Sequence, residues 1–88
     1  MPDLTRPGFW MHETSGVLRP AIQAYLLGQP MTAGDIAAMR AYLRQWIAWP
    51  AWQGPQIDTL RRSVDGLGSR AAIDHWLNLA EAAGIDPL

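Results

Sequence analysis

Residues 32–50, TAGDIAAMRAYLRQWIAWP, decide the fold. Ile36, Met39, Leu43, Trp46 and Ile47 recur every three or four positions, the period of one helix face. Arg40, Arg44 and Gln45 fall largely off that stripe, and Ala37, Ala38, Ala41 and Ala48 add intrinsic helix propensity. Thr32 stands where an N-cap belongs. Asp35, three residues on, gives a shorter-armed version of the Ser/Thr-x-x-Glu box and suits the positive end of a helix. Pro50 disfavours helical geometry at Trp49 and ends the element. The pattern predicts a helix over 33–49.

The same signals continue on both sides. Leu18, Ile22, Tyr25 and Leu26 predict a helix over 17–27, with Pro20 in its first turn, Gly28 as its stop and Pro30 blocking continuation. After a loop holding Trp52, Pro55 suits the first position of a helix over 55–67, whose stripe is Ile57, Leu60, Val64 and Leu67. Ser69 caps a further helix over 70–83 with Ile73, Trp76, Leu77 and Ala80 facing inward. Gly84 and Ile85 read as a Schellman end. No stretch alternates with period two, so no strand is expected. The fold class is therefore all-α: a compact four-helix bundle, short orthogonal or up-and-down, over residues 16–88. Residues 1–15 read as an irregular N-terminal arm, broken by Pro2, Pro7 and Gly8. Phe9, Trp10 and Met11 make it apolar enough to pack on the body.

Composition narrows the function classes. The chain has 88 residues, no cysteine, seven arginines, no lysine and a net charge of −1. Disulfides and thiolate metal sites are excluded. Charged residues are 17% of the chain, against about 25% in ordinary domains, and there are five tryptophans. Little polar cover and much aromatic area predict some apolar surface facing a partner. No secretory h-region is read at the start. The longest uncharged run, 20–34, is too broken and too short for a span, so a cytoplasmic chain with no membrane association is expected.

Five sets of residues are candidates for function. Tyr42, Trp46 and Trp49 share a helix face, with Trp52 just past the turn. Trp46 is expected in the core, and Tyr42, Trp49 and Trp52 are expected to reach a partner. Arg40 and Arg44, four apart on the same helix, form a candidate patch for an acidic group. The helices 55–67 and 70–83 have helix-turn-helix lengths, with Arg61, Arg62 and Arg70 as nucleic-acid contacts. Three arginines against five carboxylates from residue 54 onward oppose that reading, because DNA affinity rests largely on neutralising phosphates. His12 beside Glu13 and Asp74 beside His75 are the only His–carboxylate neighbours, too few and too scattered for zinc. Ser15, Ser63 and Ser69 lack a nucleophile elbow, and Gly66 and Gly68 are only a fragment of a phosphate loop. The expected function is a non-enzymatic protein–protein interaction or regulatory module without cofactor or metal. It is expected to pair with a second copy or dock on a larger protein through a Trp-rich surface. The alternative is a helix-turn-helix DNA-binding regulator.

Overall fold

The structure, a computed structural model, describes Trp10 and residues 16–88. It is all-helical: α1 (Leu18–Leu26), α2 (Ala33–Ile47), α3 (Pro55–Ser63), a 3₁₀ turn (Val64–Gly66) and α4 (Arg70–Ala82). No strand occurs among the described residues. Helix α1 packs on α2, α3 packs on α4, and α2 meets both α3 and the 3₁₀ turn. The body measures 32 × 29 × 18 Å, a slab about two helix diameters thick, so every helix keeps one face in water. The expected arm, 1–15, lies outside the described residues apart from Trp10. That ring is buried, and its Nε1 donates to the Leu88 carbonyl at 3.4 Å.

The helix ends follow local chemistry. Thr32 Oγ1 accepts from the Asp35 amide at 3.1 Å while Asp35 Oδ2 accepts from the Thr32 amide at 3.0 Å, a complete capping box on α2. Ser69 Oγ accepts from the Ala72 amide at 3.1 Å and starts α4. Gly28 (φ 69°) and Gly84 (φ 84°) take the left-handed conformation after α1 and α4. There the Gln29 amide bonds the Ala24 carbonyl and the Ile85 amide bonds the Ala80 carbonyl, closing a Schellman motif at each end.

The structure departs from the sequence reading at two helix ends and on one helix face, besides single-residue differences at the ends of α1 and α4. Helix α2 stops at Ile47, two residues before Trp49, as the chain turns ahead of Pro50. The last turn of the third helix tightens to 3₁₀ at Gly66, and Leu67 leaves it extended (ψ 91°) yet stays buried. Leu26, expected on the buried stripe of α1, is 54% exposed. The inward face of α1 is Leu18, Ala21, Ile22 and Ala24, because the small alanines let that side approach its neighbours closely and turn Leu26 outward.

The core joins Leu18 and Ile22 of α1, Met39, Tyr42, Leu43, Trp46 and Ile47 of α2, Ile57 and Leu60 of α3, and Ile73, Trp76 and Ala80 of α4. Trp76 Nε1 donates to the Leu60 carbonyl at 3.0 Å, which fixes α4 on α3. No helix among the described residues is long and apolar enough to cross a membrane.

Candidate functional site

The arginines are the first test of the site residues read from sequence, and most of them turn inward. Arg61 reaches from α3 to the end of α2. Its Nε donates to the Ile47 carbonyl at 2.8 Å, and Nη2 donates to the carbonyls of Trp49 at 3.0 Å and Trp52 at 2.8 Å. Asp58 Oδ1 lies 4.0 Å from Nη1. Arg70 does the same for α1. Nη1 donates to the Tyr25 carbonyl at 3.0 Å, Nη2 to the Ala24 carbonyl at 2.9 Å and to the Gln29 carbonyl, and the guanidinium sits 5.3 Å from the Tyr25 ring centre. Carbonyls at a helix C-terminus carry partial negative charge and a second lone pair, so the guanidinium of Arg70 adds to the amide hydrogen bonds that Ala24 and Tyr25 already accept from Gln29 and Gly28.

Arg61 and Arg70, read as nucleic-acid contacts, are placed by the structure against their own backbone. Their donors are bonded to their own chain, and of the three arginines assigned to nucleic acid only Arg62 stands outward. Its one contact is a 3.5 Å approach to Thr59 Oγ1. Arg40 and Arg44 do not form an open patch either. Arg40 Nη1 donates to the Leu67 carbonyl at 2.9 Å, and Arg44 Nε donates to Asp65 Oδ1 at 2.7 Å, so both brace the segment around the 3₁₀ turn. The Arg44–Asp65 pair is largely exposed, which limits its worth to about 0–1 kcal/mol.

The aromatic set separates in the same way. Tyr42, read as a partner contact, is 4% exposed, and its hydroxyl donates to the Pro87 carbonyl at 2.5 Å. The inward face of α2 includes it because its ring closes the core over the C-terminal segment. Trp46 is in the core as expected, with its ring centre 5.2 Å from that of Trp52 at a 35° tilt. Neither indole Nε1 of that pair has an acceptor among the described residues. Trp52 is half-buried, and Trp49 is 38% exposed on the loop that Arg61 holds.

Two further features were not legible from the period. At the end of α1, Leu26 and Leu27 are both in the open, the latter 69% exposed. Between α1 and α4 runs an open groove in two parts of about 450 and 330 Å³, with Tyr25 and Leu26 lining both. The Tyr25 hydroxyl donates across it to Asp74 Oδ1 at 2.6 Å. Partial burial, then that hydrogen bond and the carboxylate charge, push the Tyr25 pKa up to about 12 against the pull of Arg70.

Of the His–carboxylate neighbours, only Asp74 and His75 lie among the described residues. Asp74 is engaged by Tyr25, and His75 beside it is exposed. His12 and Glu13, like Ser15, lie outside the described residues. No group of three or more potential ligands gathers among the described residues. Ser69 caps α4, and Ser63 Oγ bonds back to the Thr59 carbonyl at 2.9 Å. Comparison with protein-family models, with curated proteins and with solved structures finds no match to this chain.

Proposed function

We propose that this chain is a non-enzymatic interaction or regulatory module that works by docking on another protein. One observation carries the reading. The charged side chains that a sequence reader would assign to a ligand mostly hold helix ends and turns, while large apolar side chains are left in water. Leu26, Leu27, Leu79 and Trp49 are exposed at 54%, 69%, 41% and 38%. Burying a leucine of this kind at an interface contributes on the order of 1.5–3 kcal/mol, which rewards association. Trp49 adds a large ring on a loop already fixed by Arg61, so little ordering entropy opposes its docking.

A photo-cross-linking residue placed in turn at Leu27, Trp49 and the exposed polar position Gln56 tests this in cells expressing the chain. A discrete adduct, identified by mass spectrometry, at position 27 or 49 and not at 56 is expected. No adduct at 27 and 49, or equal labelling at all three, overturns the reading.

A further inference from the structure

The groove between α1 and α4 sets three carboxylates and one arginine over an apolar floor. The Tyr25 ring, Leu26 and the half-buried Leu77 and Leu88 form the floor. Asp74, Glu81 and Asp86 stand along it. Asp74 and Glu81 are seven residues apart on α4, hence on one face and about 10 Å from each other along the axis. Arg70 is the one cation lining these two parts of the groove, and its terminal nitrogens are bonded to carbonyls of the α1 end. The ion pairs among the described residues are Arg44–Asp65 and Asp58–Arg61, so none of the three groove carboxylates is in direct ion-pair contact with a cation there.

Resting on the interaction reading above, we infer that this groove receives a basic amphipathic helix of a partner protein. The partner's apolar stripe lies on Leu26 and Leu77, and its Lys or Arg side chains face Asp74, Glu81 and Asp86. Two turns between carboxylates match two turns between cations on a helix laid alongside α4. Nucleic acid, an acidic peptide or an anionic membrane meets repulsion from the same three groups, whereas a basic helix is steered in by them.

The test uses the full chain and two fluorescein-labelled helical peptides of about five turns. Both carry leucine at i, i+3, i+4 and i+7; one has arginine and the other glutamate on the remaining face. Anisotropy is expected to show the arginine peptide binding at least about tenfold more tightly than the glutamate peptide, less so at high ionic strength. Leu26→Asp and Glu81→Arg should each weaken the arginine peptide about tenfold, and Glu81→Arg should also strengthen the glutamate peptide. Both side chains are exposed, so folding is retained, which circular dichroism checks. Equal affinity for the two peptides, no binding, or indifference to both substitutions overturns the assignment. So does a concentration-dependent doubling of mass by light scattering that Leu26→Asp abolishes, which would make a second copy the occupant. If the peptides fail while residue 27 or 49 still gives a discrete cross-link, the groove is wrong and the module reading stands; if both fail, both fall.

Discussion

Arg61 and Ile47 are fourteen residues apart in the chain, and the Arg61 Nε lies 2.8 Å from the Ile47 carbonyl at the end of α2. With the bonds to Trp49 and Trp52, one guanidinium ties the α2 end, the following loop and α3 into a unit. Arg70 repeats the device on α1 across 45 residues. The fold thus places a guanidinium at the carbonyl-rich end of α1 and of α2.

The Arg61 device has a measurable cost of removal. Hydrogen bonds to charged groups contribute about 1.5–3 kcal/mol, and lysine lacks the planar fork that reaches three carbonyls at once. Both Arg61→Met and Arg61→Lys should lower the urea-unfolding free energy by about 1.5–3 kcal/mol. Arg62→Met, one residue on and exposed, should stay within about 0.5 kcal/mol. Equal losses at both positions would show that the carbonyl contacts add nothing.

Trp46 and Trp76 are both fully buried, but of the two only Trp76 has an acceptor for its indole N–H among the described residues. Replacing each with phenylalanine removes similar ring area. Trp76→Phe also removes a hydrogen bond, whereas Trp46→Phe removes a donor that was desolvated without compensation. Trp76→Phe should therefore cost about 1 kcal/mol more than Trp46→Phe in chemical denaturation. The reverse order would contradict the indole geometry.

Gly84→Ala and Gly66→Ala should act in opposite directions. Neither site has an atom within 4 Å of an added Cβ, so crowding plays no part. Gly84 sits at φ 84° in the Schellman end of α4, where alanine is disfavoured by about 1–2 kcal/mol. Gly66 lies in the 3₁₀ turn without a positive φ, and alanine there restricts the unfolded chain, for a gain of about 0.4–1 kcal/mol. Thermal unfolding of the two variants checks the signs.

The two tyrosines give the alkaline behaviour. The pKa of Tyr25 is pushed up to about 12, and burial followed by the Asp86 charge pushes Tyr42 up as well. A neutral phenol favoured by the fold binds its proton more tightly in the folded chain than in the unfolded one. The associated stability is complete below the unfolded value of 10.0 and is lost as the pH climbs from there towards about 12. Absorbance titration should find well under half of the tyrosine ionised at pH 10 in the native chain and about half in denaturant. Asp74→Asn should bring the Tyr25 titration down. A native chain half-ionised at pH 10 would refute this.

What the sequence made legible was local. The stripe of α3, most of those of α2 and α4 (Ile36 and Leu77 are only half-buried), the Thr32 and Ser69 caps and the glycine after α4 each depend on neighbours within one or two turns, and the structure has them. The face of α1 was misjudged at Leu26 because alanines, silent in a hydrophobic pattern, set which side comes closest to the body. The carbonyl contacts of Arg61 and Arg70 bridge 9 to 46 residues and depend on where helix-end carbonyls end up in space, which no period encodes. Tyr42 looked like a surface anchor for the same reason: its acceptor, the Pro87 carbonyl, is 45 residues away. The α1–α4 groove exists only once those two helices are placed side by side.

Amide and leucine-methyl NMR of the full chain, titrated with the arginine-bearing amphipathic peptide, tests most directly whether the uncovered leucines and carboxylates form a docking face. Shifts confined to Tyr25, Leu26, Asp74, Leu77 and Glu81, absent with the glutamate-bearing peptide, are the predicted result. Shifts centred instead on Arg62 and the start of α3, or spread evenly over the molecule, would contradict it.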